Sequence, residues 1–91
     1  MLKIFGVGTL IVGDSGIGKS ESALELIARG HKFISDDVVH IVRKGASRLV
    51  GQAPRLSKDF MEIRGLGIIN IKEIFGTRSI LSSAQVDLII K

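Results

Sequence analysis

Gly13-Asp14-Ser15-Gly16-Ile17-Gly18-Lys19-Ser20 places glycines, a lysine and a hydroxyl at the spacing G-x-x-x-x-G-K-[ST] of a phosphate-binding loop. Glycines there let the backbone curl so that successive N–H groups face phosphate oxygens. A helix beginning at Lys19 would add its positive end. Lys19 can reach the outer phosphates as a compact charge, and the Ser20 hydroxyl is placed to coordinate Mg²⁺. With glycine near 7% of average usage, the pattern arises in a random chain of this length on the order of 0.3% of the time, so chance is a poor explanation. Asp14, Ser15 and Ile17 occupy variable positions of the pattern.

Two further groups could share this chemistry. Asp36-Asp37 could hold Mg²⁺ through water or take a proton from an attacking hydroxyl. Strand alternation would aim only one of them at the phosphate, and a solvated turn or helix cap is the competing role. Met61-Glu62-Ile63-Arg64-Gly65-Leu66-Gly67-Ile68-Ile69-Asn70 sets an acid, a base and two glycines in an apolar stretch. Glu62 could be a metal ligand and Arg64 a phosphate contact, while the glycines would let backbone approach a ligand. The same residues would also make a surface ion pair beside a turn. His31 and His40 stand in ordinary positions, after a helix stop and within a Val-Val-His-Ile-Val alternation.

The elements needed to position these groups are legible nearby. Thr9–Val12 reads as a strand buried on both faces of a parallel sheet. From Lys19 the chain lacks Gly and Pro, puts Ala23, Leu26 and Ile27 on one face, pairs Glu25 with Arg29, and meets Gly30 as a helix stop. Lys32–Ser35 returns as a second strand, parallel to the first through a right-handed crossover, so that Asp36 and Asp37 emerge at the edge carrying the phosphate loop. Val38–Arg43 and Arg48–Gln52 flank Lys44-Gly45-Ala46-Ser47 as a hairpin with a four-residue loop. Asn70 followed by Glu73 caps a short helix ending at Gly76, and Val86–Lys91 is a final strand.

The 91 residues allow one small core, and 45% hydrophobic with 24% charged residues is an ordinary globular composition. Thirteen basic residues are scattered among nine acidic ones, and the aromatics are four phenylalanines, which disfavours a nucleic-acid partner. The absence of cysteine excludes disulfides, thiolate metal sites and a cysteine nucleophile, and is compatible with a cytoplasmic location. The apolar run Ile4–Val12 imitates a signal peptide but leads into the phosphate loop with no small-residue cleavage site. It also falls short of the roughly 20 residues of a membrane span, so no membrane partner is expected.

GDSGIGKSESALELIARGHKFISDD and MEIRGLGIIN together resemble the signature stretches of the HPr kinase/phosphorylase family, and the resemblance covers essentially the whole chain. It implies an α/β fold: a core with a phosphate loop and its helix, similar to the PEP carboxykinase-like nucleotide-binding fold, with a mixed sheet and a hairpin. It also implies a cytoplasmic bacterial enzyme that regulates carbon-source use. Such an enzyme phosphorylates a serine of the phosphocarrier protein HPr with ATP or pyrophosphate and Mg²⁺, and removes the group by phosphorolysis. By resemblance, Gly13, Asp14, Ser15, Gly16, Ile17, Gly18, Lys19 and Ser20 bind the nucleotide phosphates, Lys19 is catalytic, and Ser20 and Glu62 hold Mg²⁺. Asp37 would accept the serine proton and return it in reverse, Asp36 would support it, and Met61–Asn70, with Arg64, would serve both directions.

Family members also carry an N-terminal domain, a catalytic His upstream of the first strand, a catalytic Arg beyond the last one, and C-terminal helices. None of these falls within residues 1–91, so the chain reads as a partial catalytic domain, with the family's hexamer implying a homo-oligomer. Two other readings remain at this stage: a nucleotide- or phosphate-binding fragment without catalysis of its own, and a general nucleotidase acting on small molecules.

Overall fold

A computed structural model of the protein describes residues 1–13 and 18–91. Its elements run β1 (Leu2–Ile4), β2 (Val7–Ile11), α1 (Lys19–Ala28), β3 (Lys32–Phe33), β4 (His40–Lys44), β5 (Arg48–Gln52), β6 (Phe60–Ile63), β7 (Gly67–Asn70), α2 (Ile71–Phe75), a 3₁₀ turn (Thr77–Ser79), β8 (Ser83–Gln85) and β9 (Leu88–Ile90). Among the described residues the strands form a four-stranded sheet ordered β3-β1-β2-β9, a three-stranded sheet ordered β4-β5-β8, and the β6–β7 pair.

The first sheet departs from the simplest reading of the sequence. The Met1–Val12 run contains two strands, folded back at Phe5-Gly6, where both residues have positive φ (49° and 77°). β1 is antiparallel to β2 and to β3. The strands on either side of α1 therefore run the same way, as expected, but β1 lies between them. The sheet is mixed rather than parallel, because β9 joins β2 in parallel with Thr9 opposite Leu88. β2 is also less enclosed than a central parallel strand: Gly8 and Thr9 are buried, Leu10 and Ile11 half-buried, and Val12 exposed.

The helix reading holds. Ala23 and Ile27 are buried and Leu26 half-buried on one face of α1, and Glu25 pairs with Arg29 at 2.8 Å. At its end the Gly30 N–H bonds the Ile27 carbonyl and the His31 N–H that of Leu26, the paired closure that a glycine stop permits. The β4–β5 hairpin forms with Lys44 opposite Arg48, so its loop is three residues, one shorter than expected, and β4 starts at His40 rather than Val38. The Asn70 Oδ1 accepts the Glu73 N–H at 3.0 Å and caps α2, which ends at Gly76. The last strand is confined to Leu88–Ile90, since Val86 and Asp87 turn from β8 and bond the carbonyls of Leu49 and Gly8.

Two apolar clusters hold these layers. The larger joins Leu2, Ala23, Ile27, Phe33, Met61, Ile63 and Ile71. The smaller, Met1, Ile34 and Ala84 with Leu10, Val39, Leu81 and Val86 around them, seats the β4-β5-β8 sheet against the first.

Candidate active site

The larger cluster is also what assembles the site. α1, β3 and β6 each contribute buried apolar residues to it: Ala23 and Ile27, Phe33, and Met61 and Ile63. The polar residues next to them are thereby aimed elsewhere. With Met61 and Ile63 facing inward, alternation along β6 turns Glu62 outward. After β3, Ile34 and Ser35 stay buried, Asp36 is half-buried and Asp37 is exposed.

These residues meet at an open cleft of about 750 Å³. Lys19 and Ser20 line it from the start of α1, Asp37 from the bend after β3, Glu62 from β6, and Arg64 from the turn joining β6 to β7. That turn is Arg64-Gly65-Leu66, closed by the Leu66 N–H on the Ile63 carbonyl at 3.0 Å. Gly65 has φ 88° and nothing within 4 Å of where a Cβ would sit, so the position calls for a left-handed backbone rather than for space.

The Asp pair is held by two contacts. The buried Ser35 hydroxyl donates to the Val38 carbonyl at 2.5 Å, across the bend that contains both aspartates. Asp36 Oδ2 accepts the Glu62 backbone N–H at 2.9 Å, tying that bend to β6. Burial pushes the Asp36 carboxyl above its ordinary value and the neighbouring Asp37 charge adds to this, while the Glu62 N–H and the Lys19 ammonium oppose it. Asp37, not Asp36, lines the large cleft.

Chemically the cleft suits a phosphorylated ligand. Gly18, the N-cap of α1, makes no side-chain cap, so the N–H groups of the first turn have no partner within the helix. With Lys19 and Arg64 they supply donors and positive charge on the same side. Ser20 and Glu62 offer a hydroxyl and a carboxylate, hard oxygen ligands of the kind Mg²⁺ takes. Among the described residues no three His, Asp or Glu side chains gather as a metal cage. Mg²⁺ needs none, since it binds one or two protein oxygens and completes its shell with water and substrate phosphates. The competing ion pair is not formed: among the described residues the salt bridge is Arg29 with Glu25.

A model of the HPr serine kinase C-terminal domain matches residues 1–91. HPr kinase/phosphorylase of Lachnoclostridium phytofermentans is 47% identical over the whole chain, which spans 29% of that protein. The Geobacter sulfurreducens protein of the same name is 50% identical over the whole chain, spanning 28% of it. In the solved structure of the Hpr(Ser) kinase/phosphatase from Coxiella burnetii, 53% of that chain matches 97% of this one, with a TM-score of 0.92 and 36% identity. The chain belongs to the HPr serine kinase family. It spans less than a third of the length of the curated relatives it matches, and its mixed α/β fold is that of the Coxiella burnetii kinase.

Of the residues singled out from sequence, the structure brings Gly18, Lys19, Ser20, Asp37, Glu62 and Arg64 to one cleft. Asp36 lies behind it, and Gly13 is exposed beyond β2. Asp14, Ser15, Gly16 and Ile17 lie outside the described residues. His31 Nδ1 accepts the Phe5 N–H at 3.3 Å, with its ring edge-on to Phe5 at 4.4 Å, and His40 is exposed on β4, so neither lines the cleft. Glu21 and Ser22 also line it, two residues that the phosphate-loop pattern does not specify. Their signal was position alone, in the first turn after Lys19-Ser20. No described helix is long and apolar enough to cross a membrane.

Proposed function

We propose that this chain forms the phosphate- and metal-binding part of an enzyme that phosphorylates a serine of HPr from ATP or pyrophosphate and removes the group by phosphorolysis. The observation that carries this reading is the convergence of Lys19, Ser20, Asp37, Glu62 and Arg64 on one cleft in a chain of the HPr serine kinase family. Gly13–Ser20 acts as the phosphate loop, within a nucleotide-binding core like that of PEP carboxykinase.

Phosphoryl transfer asks a protein chiefly for positioning and charge neutralisation. Lys19 and Arg64 balance the charge of the transferred group. Asp37, exposed in the cleft, receives the proton as the serine Oγ–P bond forms and the bond to the leaving group, ADP from ATP or phosphate from pyrophosphate, breaks. In the opposite direction inorganic phosphate attacks phosphoserine, Asp37 returns the proton to the serine oxygen, and pyrophosphate leaves. Mg²⁺, bound through Ser20 and Glu62, would spread the charge of the phosphate oxygens. The family relation supports HPr as partner, a cytoplasmic location, a homo-oligomer and a role in regulating carbon-source use.

The test is transfer of labelled phosphate from ATP to HPr, present in the native protein and lost in Lys19→Ala and Asp37→Asn. Nucleotide binding without any transfer would leave a second reading, a phosphate-binding unit without catalysis of its own. Steady ATP hydrolysis independent of HPr would favour a general nucleotidase instead.

A further inference from the structure

Asp36 stands where three segments of the site come together, yet it does not line the main cleft. It faces a void of about 30 Å³ whose walls include Lys19, Ser20 and Met61. Its Oδ2 accepts the Glu62 N–H at 2.9 Å. Along an antiparallel pair, N–H groups point alternately toward the partner strand and away from it. Glu62 stands opposite Ile68 of β7, but its N–H goes to a carboxylate 26 residues earlier in the chain. Among the described residues β6 pairs with β7 on one edge, and Asp36 covers the other edge at the residue whose side chain enters the cleft.

We infer that Asp36 is a positioning residue for Glu62: by accepting the Glu62 N–H it sets the placement of β6 against α1, so that the Glu62 carboxylate and the Ser20 hydroxyl face one Mg²⁺ position. The inference rests on the reading of Ser20 and Glu62 as the metal ligands. It separates the two aspartates. Asp37 handles the proton from within the cleft, and Asp36 needs only an accepting oxygen, which it offers in either protonation state. Partners that orient a metal ligand through a second hydrogen bond commonly alter metal affinity by about 10- to 100-fold when removed.

The experiment is a titration of the protein with Mn²⁺ in the presence of ADP, read by electron paramagnetic resonance. Asp36→Ala weakens Mn²⁺ binding by about 10- to 100-fold. Asp36→Asn, whose amide oxygen accepts the same N–H, stays within about twofold of the native Mn²⁺ affinity. Native affinity in Asp36→Ala, or loss of affinity in Asp36→Asn, overturns the assignment. Hydrogen exchange of the Glu62 amide in the native protein gives a second measure that no variant's folding can confound. A protected Glu62 amide supports the tie, and exchange at the rate of a free amide overturns it. Unchanged Mn²⁺ binding in Glu62→Gln would remove the metal reading while leaving the amide result to stand by itself, so the two readings fail separately.

Discussion

The Ser35 hydroxyl donates to the Val38 carbonyl at 2.5 Å and so closes the bend in which Asp36 and Asp37 sit. Ser35 is buried, and its own N–H bonds the Met1 carbonyl at 3.3 Å. Ser35→Ala removes a bond and leaves the Val38 carbonyl short of a partner, a cost of about 1–2 kcal/mol in urea unfolding. On the proposed function, phosphoryl transfer to HPr should fall by about tenfold as Asp37 loses its placement. Loss of stability with unchanged kcat would show that Asp37 keeps its position without the hydroxyl.

Gly8 bears on the join between β2 and the β8–β9 connection. A Cβ there would lie 1.7 Å from the Gln85 carbonyl oxygen, and the Gly8 N–H already donates to Asp87 Oδ2 at 2.9 Å. Backbone cannot step aside as a flexible side chain can, so Gly8→Ala should cost about 3 kcal/mol, at the upper end of overpacking effects. Thermal unfolding measures this. Equal stability of Gly8→Ala and the native protein would contradict the close approach.

Gly65 separates two roles a glycine can play beside a ligand. With φ 88° and open space around it, the structure assigns the residue a conformational role. Gly65→Ala should therefore destabilise by about 1–2 kcal/mol, and Gly65→Asn by less, because asparagine tolerates the left-handed region. If instead a ligand must approach the backbone at this point, both variants would weaken nucleotide binding alike while leaving unfolding unchanged. Calorimetric unfolding and ATP titration together decide between these outcomes.

The raised carboxyl of Asp36 makes a prediction about pH. A group whose value is higher in the folded state than its ordinary 3.8 favours folding while protonated, and that contribution is lost as pH rises through the folded value. Measured against Asp36→Asn, which does not titrate, the native protein should lose stability as pH climbs from below 3.8 through the raised value. Below 3.8 the stability difference between the two should become constant. Urea midpoints across this range check it, and a native protein that gains stability relative to Asp36→Asn as pH rises would reverse the sign.

The features that could be read directly are those whose causes lie within a few residues of chain. The α1 stop at Gly30, the Asn70 cap on Glu73 and the β4–β5 hairpin each depend on local bonds; the first two formed where the residues indicated, and the hairpin formed with its loop one residue shorter. The break at Phe5-Gly6 escaped notice because phenylalanine is not the Asn or Gly that a two-residue hairpin turn usually carries, so Ile4–Val12 looked like one continuous apolar run. β8 was missed as well. Ser83–Gln85 has little β-propensity of its own and is a strand through its pairing with β5.

For the site the same line divides what was legible. Residue type and spacing alone marked Lys19, Ser20, the Asp pair, Glu62 and Arg64 as chemically able, since phosphate and Mg²⁺ chemistry requires those groups. Which aspartate enters the cleft, where Glu62 points, and the insertion of β1 between β2 and β3 were decided only in three dimensions. Those depend on which apolar neighbours share a core and on a hydrogen bond spanning 26 residues. Chain order carries no record of such contacts, because they form only when distant segments exclude water together.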